Sequence, residues 1–355
     1  MKEQGNEERL KALIRQIAPL DEMAMQAASV RLDTLTKPPG SLGRLEELAV
    51  RLAGITGQAF PSITRKAVIV MAADHGVCEE GVSAYPAEVT PQMALNIASG
   101  GAAVNVLARA AGAEVHCVDI GIAATLDHPA IWPRKIRPGT ANLARGAAMT
   151  RDEAVRSVLT GIEIAGELAD RGIMLLATGE MGIGNTTASS AICAVLGGVD
   201  VEDATGRGTG ISEETRQRKQ AVIAKSIRIN RPDPGDPLDV LTKVGGLEIA
   251  GLAGVIIGAA LRRRPVVIDG FISSAAALAA LRLAPAAAPY VLPSHLSQER
   301  GHGRLLEILE LDAPIRLDMR LGEGTGAVLC FHLVEAAARI LREMATFEDA
   351  GVSRG

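Results

Sequence analysis

Apolar residues follow two different periods along the chain. From Glu7 to Ile17 they recur every three to four positions, which predicts an amphipathic helix, and helices are also predicted at Glu22–Leu35 and after Gly43. Beyond these helices, short continuous apolar runs predict buried strands that alternate with helices. The predicted strands are Ala67–Ala72, Val115–Ile120, Ile173–Ala177, Val266–Ile268, Tyr290–Leu292 and Ile315–Leu321. This alternation predicts an α/β fold with a mostly parallel, Rossmann-like sheet flanked by helices.

The two ends of the chain lack strand patterns. We expect residues 1–60 and 327–355 to form a small helical domain from the N- and C-terminal segments, and residues 61–326 to form a large α/β domain. Residues 123–148 form an irregular stretch rich in turn residues, and Val240–Leu261 is predicted as helical. A chain of 355 residues is long enough for one large and one smaller unit.

Composition and charge limit the partners and the compartment. Lys and Arg number 37 against 41 Asp and Glu, so no basic surface is expected to bind nucleic acid or an anionic membrane. The four cysteines are far apart, which argues against a disulfide framework or a zinc ribbon. The N-terminus has no apolar core of the signal-peptide type. Leu247–Leu261 is shorter than the roughly 20 apolar residues of a membrane span. That segment reads as a buried helix in which Ala250, Gly254 and Gly258 permit close packing, and a cytoplasmic protein is expected.

The stretch Thr178–Thr187, T-G-E-M-G-I-G-N-T-T, follows a predicted strand and precedes an apolar helix. Helix-start amides attract anions, and glycines at 182 and 184 allow close backbone approach to a ligand. The side chains of Asn185, Thr186 and Thr187 are of the types that cap a helix or donate to phosphate oxygens. The stretch is therefore a candidate phosphate loop, with an ordinary capped strand-to-helix turn as the alternative.

Polar side chains follow the predicted strands, at the edge where parallel sheets bind ligands. They are Asp74, Asp119, Glu180, Asp269, His295 and Glu323. For Asp119 and Asp269, a role as a helix cap is the alternative. Glu323 stands between two glycines in R-L-G-E-G-T-G-A, and partial burial there would raise its pKa to suit a general base near pH 7. Glu180 is the rival candidate for the base.

Common templates fit the glycine loop poorly. A Walker loop needs Lys after its last glycine, where this chain has Asn185. A dinucleotide fingerprint needs a third glycine where Thr187 stands, although Asp200 lies at a suitable distance for a ribose. The segment Val201–Thr209 resembles a phosphoribosyl pyrophosphate loop only weakly, because no apolar strand precedes it. Lys219 reaches a phosphate in one interpretation and is a solvated helix lysine in the other.

Histidines offer little support for a metal. His75 lies beside Asp74, while His295 and His302 are seven positions apart across a loop that contains glycine. These residues form no compact ligand set of the kind zinc sites use. Neither a metal nor a cofactor is predicted.

Six motifs in fixed order resemble one family, the nicotinate-nucleotide dimethylbenzimidazole phosphoribosyltransferases. The motifs are K-P-P-G-S-L-G-R-L-E at 37–46, A-D-H-G-V at 73–77, the glycine loop, D-G-F-I-S-S-A-A-A-L at 269–278, S-H-L-S-Q-E-R-G-H at 294–302 and R-L-G-E-G-T-G-A at 320–327. The resemblance implies a homodimer with a parallel-sheet large domain and a small helical domain. It also implies two small-molecule substrates, nicotinate mononucleotide and dimethylbenzimidazole, in assembly of the lower nucleotide loop of cobalamin.

Site residues follow from the same resemblance. Glu323 matches the catalytic glutamate, and Glu180 becomes a ribose-binding or loop-positioning residue. The phosphate residues implied are Gly182, Gly184, Asn185, Thr186 and, less firmly, Lys219. The benzimidazole residues implied are Ser83, Gln92, Met181 and Leu321, and Ser297 and Gly326 are implied to hold the nicotinate carboxylate. A nucleotide-dependent oxidoreductase and a non-catalytic nucleotide or benzimidazole sensor stay open as alternatives.

Overall fold

The computed structural model describes residues 2–208 and 210–353. The helices are α1 (Lys2–Ile14), α2 (Glu22–Thr34), α3 (Arg44–Thr56), α4 (Val89–Ala98), α5 (Ala103–Ala111), α6 (Arg151–Asp170), α7 (Asn185–Gly197), α8 (Val201–Ala204), α9 (Glu213–Asn230), α10 (Pro237–Val244), α11 (Leu247–Leu261), α12 (Phe271–Leu283), α13 (His302–Ile308) and α14 (Thr325–Glu343). The strands are β1 (Lys66–Ala73), β2 (Ala113–Gly121), β3 (Ile131–Pro133), β4 (Leu175–Met181), β5 (Val266–Ile268) and β6 (Val291–Pro293).

The six strands form one parallel sheet in the order β3-β2-β1-β4-β5-β6. This order confirms the predicted Rossmann-like α/β class, because β2 and β3 are added on one side of β1 and β4 to β6 on the other. The switch point of such a sheet, here between β1 and β4, is where ligands bind. Every residue of β1 is buried, as both faces of the sheet are covered. Ile69 and Met71 of β1 point into one core and Val68 and Val70 into the other, as the period of a strand requires.

The core around Ile69 and Met71 is formed mainly with α6, α7, α11 and α12. Within it, α6 and α11 pack with very little space between their backbones. A methyl group on Gly161 would lie 1.9 Å from the carbonyl oxygen of Gly251, and one on Gly254 would lie 1.9 Å from that of Val158. The prediction that the small residues of α11 permit close packing is confirmed. No helix in the described ranges has the length and apolar character needed to cross a membrane.

Helices α2, α3 and α14, from both chain ends, lie on one side of the sheet, and α1 lies on the other. Residues of α2, α3 and α14 share a core with Val68 and Val70 of β1, while α1 contributes Leu10 to the opposite core. Backbone hydrogen bonds join the ends, since Thr36 N–H donates to the Ala345 carbonyl at 3.0 Å and Phe347 N–H to the Thr34 carbonyl at 3.1 Å. The division into a small and a large domain stays a prediction.

Three predicted elements are wrong. Residues 315–321 form no strand and contribute only an isolated bridge between Ile315 and His295. The helix predicted over 240–261 is two helices, α10 and α11. They are separated at Gly246, where the backbone passes so close to the ring of His75 that a methyl group would lie 2.5 Å from it. The irregular stretch at 123–148 contains the short strand β3, whose three residues carry too little pattern for recognition.

Candidate active site

Four of the polar residues predicted at the sheet edge line one cleft of about 380 Å³. They are Glu180, Asp269, His295 and Glu323. Asp74 and Asp119 do not line this cleft and instead secure the loop after β2, since their carboxylates accept the amides of Ala123 at 2.7 Å and Ile122 at 2.9 Å. The cleft opens where the strand order reverses, which is the expected ligand position for this fold.

The glycine loop joins β4 to α7 as predicted. A methyl group on Gly182 would lie 2.6 Å from the Ala73 carbonyl oxygen of β1, and Gly184 has φ +92, so both positions favour glycine. The expected side-chain cap is wrong: α7 starts at Asn185 with Gly184 as its N-cap, and no side chain caps it. Since Asn185 and Thr186 lie inside the first turn, their side chains contact other residues of the site.

Beside the loop lies a second, small pocket of about 40 Å³. Its lining includes Ser83, Gly182, Gly184, Asn185, Thr186, Arg207, Gly208 and Lys219. Lys219 on α9 is 1 % exposed and its Nζ donates to Thr186 Oγ1 at 2.7 Å, so it is not a solvated helix lysine. Burial lowers the pKa of Lys219 to about 8, against the opposing charge of Glu299. A buried lysine and the start of a helix therefore face one small pocket, an arrangement that attracts an anion.

Glu323 lies in a loop rather than after a strand. Its φ is +62, and the glycines on both sides also have positive φ, at +90 for Gly322 and +86 for Gly324. Such a backbone costs about 1–3 kcal/mol in a residue with a side chain and persists only where its surroundings hold it. A methyl group on Gly179 of β4 would lie 2.6 Å from the Glu323 carbonyl oxygen, so the loop packs directly on the strand.

The carboxyl group of Glu323 is buried, and its Oε2 has no hydrogen-bond partner within the described part of the chain. Burial raises the pKa of Glu323, the amide of Val104 opposes that shift, and the charge of Asp269 adds to it. A buried carboxyl group with a raised pKa in the lining of a cleft has the properties of a candidate general base.

Glu180 lies between the two loops. Its Oε2 accepts a hydrogen bond from the Asn185 side chain, and a methyl group on Gly322 would lie 2.3 Å from its Oε1. Burial raises the pKa of Glu180 to about 8, with the charges of Asp269, Glu248 and Glu323 adding to it. Because Glu180 Oε2 is engaged by Asn185 whereas Oε2 of Glu323 has no partner in the described residues, Glu323 is the better candidate for the base.

The walls of the cleft include two of the four residues predicted for the benzimidazole. Met181 and Leu321 line it, whereas Ser83 lines the small pocket and Gln92 lies on α4 outside both linings. The sequence reasoning missed Tyr85, Val89 and Met93, which form the opposite apolar wall. Val89 and Met93 are one helical turn apart, a spacing that could have identified this face of α4.

Ser297 lines the far end of the cleft, with Glu299 and Arg320. The Ser297 amide donates to Nδ1 of His302 at 2.8 Å, and burial lowers the pKa of His302 to about 3, so this ring is neutral. Gly326 is not part of the lining. It lies behind the cleft, where a methyl group would be 2.0 Å from the ring of His295.

One pair of ionisable side chains is buried outside the cleft. His75 and Glu248 are fully buried and their side chains are 2.7 Å apart beneath the glycine loop.

In residues 2–208 and 210–353, no group of three or more His, Cys, Asp or Glu side chains has the arrangement of a metal site.

The fold and the site define an α/β protein with a cleft at the carboxyl edge of its parallel sheet, an adjoining small pocket that contains a buried lysine, and several buried carboxyl groups in the lining of the cleft. The chain belongs to the phosphoribosyltransferase family whose model matches residues 17–352.

Named relatives are similar over nearly the whole chain. The nicotinate-nucleotide--dimethylbenzimidazole phosphoribosyltransferase of Chloroflexus aggregans is 59% identical over 341 residues, covering 96% of this chain and 97% of the relative. The protein of the same name from a Roseiflexus species is 57% identical over 345 residues, covering 97% and 98%. The crystal structure of CobT from Thermus thermophilus matches with a TM-score of 0.90 at 50% identity, covering 94% of this chain and all of that chain.

Proposed function

We propose that the chain transfers phosphoribose from nicotinate mononucleotide to 5,6-dimethylbenzimidazole, which yields alpha-ribazole 5'-phosphate and nicotinate for the lower nucleotide loop of cobalamin. One observation carries the proposal: the buried carboxylate of Glu323 faces a cleft that adjoins a phosphate pocket containing Lys219. The names of the relatives that are 59% and 57% identical support the choice of substrates.

The donor phosphate occupies the small pocket. The backbone at Gly182 and Gly184 comes close to the ligand, and the side chains of Asn185 and Thr186 supply polar contacts. Lys219 neutralises the phosphate charge from a position buried against Thr186. Because the lysine is shielded from water, its attraction to the phosphate is stronger than that of an exposed lysine.

The acceptor base lies flat in the main cleft, between Met181 and Leu321 on one side and Met93 on the other. One ring nitrogen attacks C1' of the ribose, and the N–H proton of the ring passes to Glu323. The nicotinate ring of the donor is an N-glycosidic pyridinium, so it takes the electron pair of the broken bond and leaves as a neutral ring without a general acid. Attack from the opposite face inverts C1' from beta to alpha.

Ser297 holds the departing nicotinate at the far end of the cleft, and Gly326 supports it indirectly by leaving room for His295. Ser83 and Gln92 do not line the main cleft, so their contact with the acceptor rests on the family resemblance alone. Glu180 positions the two loops through Asn185 and its contact with Gly322.

The alternatives differ in what they require of the site. A dinucleotide-dependent oxidoreductase needs Asp200 at the ribose, but Asp200 is exposed beyond the C-terminal end of α7 and lines neither pocket. Since the phosphate pocket lies at the other end of the 13-residue helix, about 20 Å away, this class lacks support. A non-catalytic sensor would keep both pockets and differ only in the absence of turnover.

The test is a direct assay. The protein is incubated with nicotinate mononucleotide and dimethylbenzimidazole, and the products are separated and assigned by their anomeric configuration. We expect alpha-ribazole 5'-phosphate and nicotinate in equal amounts. Binding of both ligands without product would favour the sensor, and a beta-configured product would contradict single displacement.

We further propose, from the family resemblance, a homodimer that works in the cytoplasm. The chain mass is 36.9 kDa, so sedimentation equilibrium should give a species of twice that mass. A monomer at micromolar concentration would contradict the dimer. Fractionation of cells followed by immunodetection tests the compartment.

A further inference from the structure

The Glu323 loop needs an external partner to keep its shape. Its backbone has positive φ at three successive residues, 322–324, and α14 begins directly after it with Gly324 as the N-cap. No side chain of the loop caps α14. The first amides of a helix have no partner within the helix. The Thr325 amide donates to the Gly322 carbonyl at 3.1 Å, and the amides of Gly324 and Ala327 are bound from outside the loop.

Asp269, which directly follows β5, provides that partner from 55 residues away in the chain. The amide of Gly324 donates to its Oδ2 at 3.1 Å, and the amide of Ala327 donates to its Oδ1 at 3.0 Å. The two oxygens of one carboxylate therefore bind the residue after Glu323 and the first turn of α14. Asp269 therefore caps a helix, which is the alternative role considered for it. The capped helix is α14, which is distant from Asp269 in sequence.

His295 completes this contact. Its Nδ1 lies 3.8 Å from Oδ1 of Asp269, and its ring occupies the space left by the missing side chain of Gly326. The side chain of Asp269 is 2 % exposed and that of His295 is 3 % exposed, so the contact is sealed from water.

We propose that Asp269 is a positioning residue for phosphoribosyl transfer, which holds the carboxylate of Glu323 at the place where it takes the proton of the acceptor base. The inference rests on the proposed function and adds a residue that acts through Glu323. A displacement of about 1 Å in a reacting group can lower the rate about 100-fold. Loss of this contact is therefore expected to lower kcat and to leave donor binding nearly unchanged.

A double-mutant cycle tests the proposal. We expect Asp269→Asn to lower kcat about 10- to 100-fold, while KM for nicotinate mononucleotide changes less than about threefold. In the background of Glu323→Gln the same substitution should lower kcat less than about threefold, because the residue it positions is already inactive. An equal loss in both backgrounds, or a wild-type kcat in Asp269→Asn, would overturn the proposal.

The matched control is Asp119→Asn. Asp119 is also buried at the sheet edge and accepts the amide of Ile122, but it lies outside the cleft. We expect its kcat to stay within about threefold of wild type, as is usual for a residue without contact to the reacting groups. A loss equal to that of Asp269→Asn would mean that any buried carboxylate at this edge has the same effect, which contradicts a specific role.

Hydrogen exchange gives a readout that does not depend on activity. In Asp269→Asn the amides of residues 324–327 should exchange at least about tenfold faster, with unchanged exchange there in Asp119→Asn. If wild type forms no ribazole phosphate, the proposed function fails while this measurement still tests the contact. If Asp269→Asn does not fold, Asp269→Glu keeps the charge but shifts the oxygens, and faster exchange with lower kcat is again expected. Wild-type exchange and kcat in the foldable variant would reject the inference.

Discussion

The two loops that meet at Glu180 are held by different means. The glycine loop connects β4 directly to α7 and is also bound by distant residues, since the Ile183 amide donates to Thr90 Oγ1 at 3.1 Å and Gly182 packs on the Ala73 carbonyl of β1. The Glu323 loop follows no strand and is held by Gly179 of β4, Asp269 after β5 and His295 after β6. In the proposed function the first loop, a contiguous motif in the sequence, binds a common group, phosphate. The second is an assembled site that places one carboxylate.

This difference predicts a division of the reaction between the loops. Substitutions at the glycine loop and Lys219 should act on donor binding, and those at the Glu323 loop should act on the chemical step. If substitutions at the glycine loop changed the chemical step, or substitutions at the Glu323 loop changed donor binding, the two loops would be coupled, with Glu180 between them as the connecting residue.

The largest effect is expected from Glu323→Gln. It removes the proton acceptor and preserves the shape of the side chain, so kcat should fall by about 10² to 10⁴, as is typical of a general base. Steady-state kinetics of ribazole phosphate formation measures this. Glu310→Gln is the control, because Glu310 also has positive φ, at +55, but is exposed outside the cleft. Undiminished turnover in Glu323→Gln would place the base elsewhere.

Lys219→Gln should act on the other loop. Losing a hydrogen bond between charged partners costs about 1.5–3 kcal/mol, so KM for nicotinate mononucleotide should rise about 10- to 100-fold at pH 7. The change in kcat should be smaller. Lys225→Gln on the exposed face of α9 is the control and should resemble wild type. Unchanged donor KM in Lys219→Gln would remove this lysine from the phosphate pocket.

The pKa of Lys219 predicts a pH dependence of donor binding. With a pKa of about 8 in the free protein, Lys219 is cationic at pH 7 and loses its proton as the pH rises through 8. Affinity for the donor should then fall by up to about tenfold per pH unit above 8, because each bound phosphate must recover a proton on the lysine. Titrations between about pH 7 and pH 9.5 measure this decline, and an equal decline in Lys219→Gln would contradict its assignment.

A smaller effect is expected on stability through Glu180. Its pKa of about 8 lies above the ordinary glutamate value of 4.5, so between these values the folded protein binds more protons than the unfolded chain. The free energy of unfolding of wild type should therefore fall relative to Glu180→Gln as the pH rises from about 5 to 8.

Urea unfolding of both proteins at several pH values checks this difference, with Glu47→Gln as an exposed control. A difference between wild type and Glu180→Gln that does not vary with pH would show that Glu180 is ionised throughout.

The same contrast explains how far the sequence could predict the site. The glycine loop, the buried helix α11 and the parallel sheet depend on local patterns, so each could be recognised from contiguous residues. The strand predicted before Glu323 is wrong because residues 315–321, although apolar enough for a strand, form only one bridge at Ile315 and one further backbone bond, from the Gln298 amide to the Met319 carbonyl. The contacts of Asp269 with residues 324 and 327 depend on tertiary packing, which no local pattern encodes. The same holds for Tyr85, Val89 and Met93.

Calorimetric titration of nicotinate mononucleotide into Glu323→Gln and Lys219→Gln tests the division of the site most directly, because it measures binding without turnover. The account predicts that Glu323→Gln binds the donor within about threefold of wild type, whereas Lys219→Gln binds it at least about tenfold more weakly. Tight binding in Lys219→Gln together with weak binding in Glu323→Gln would contradict the account.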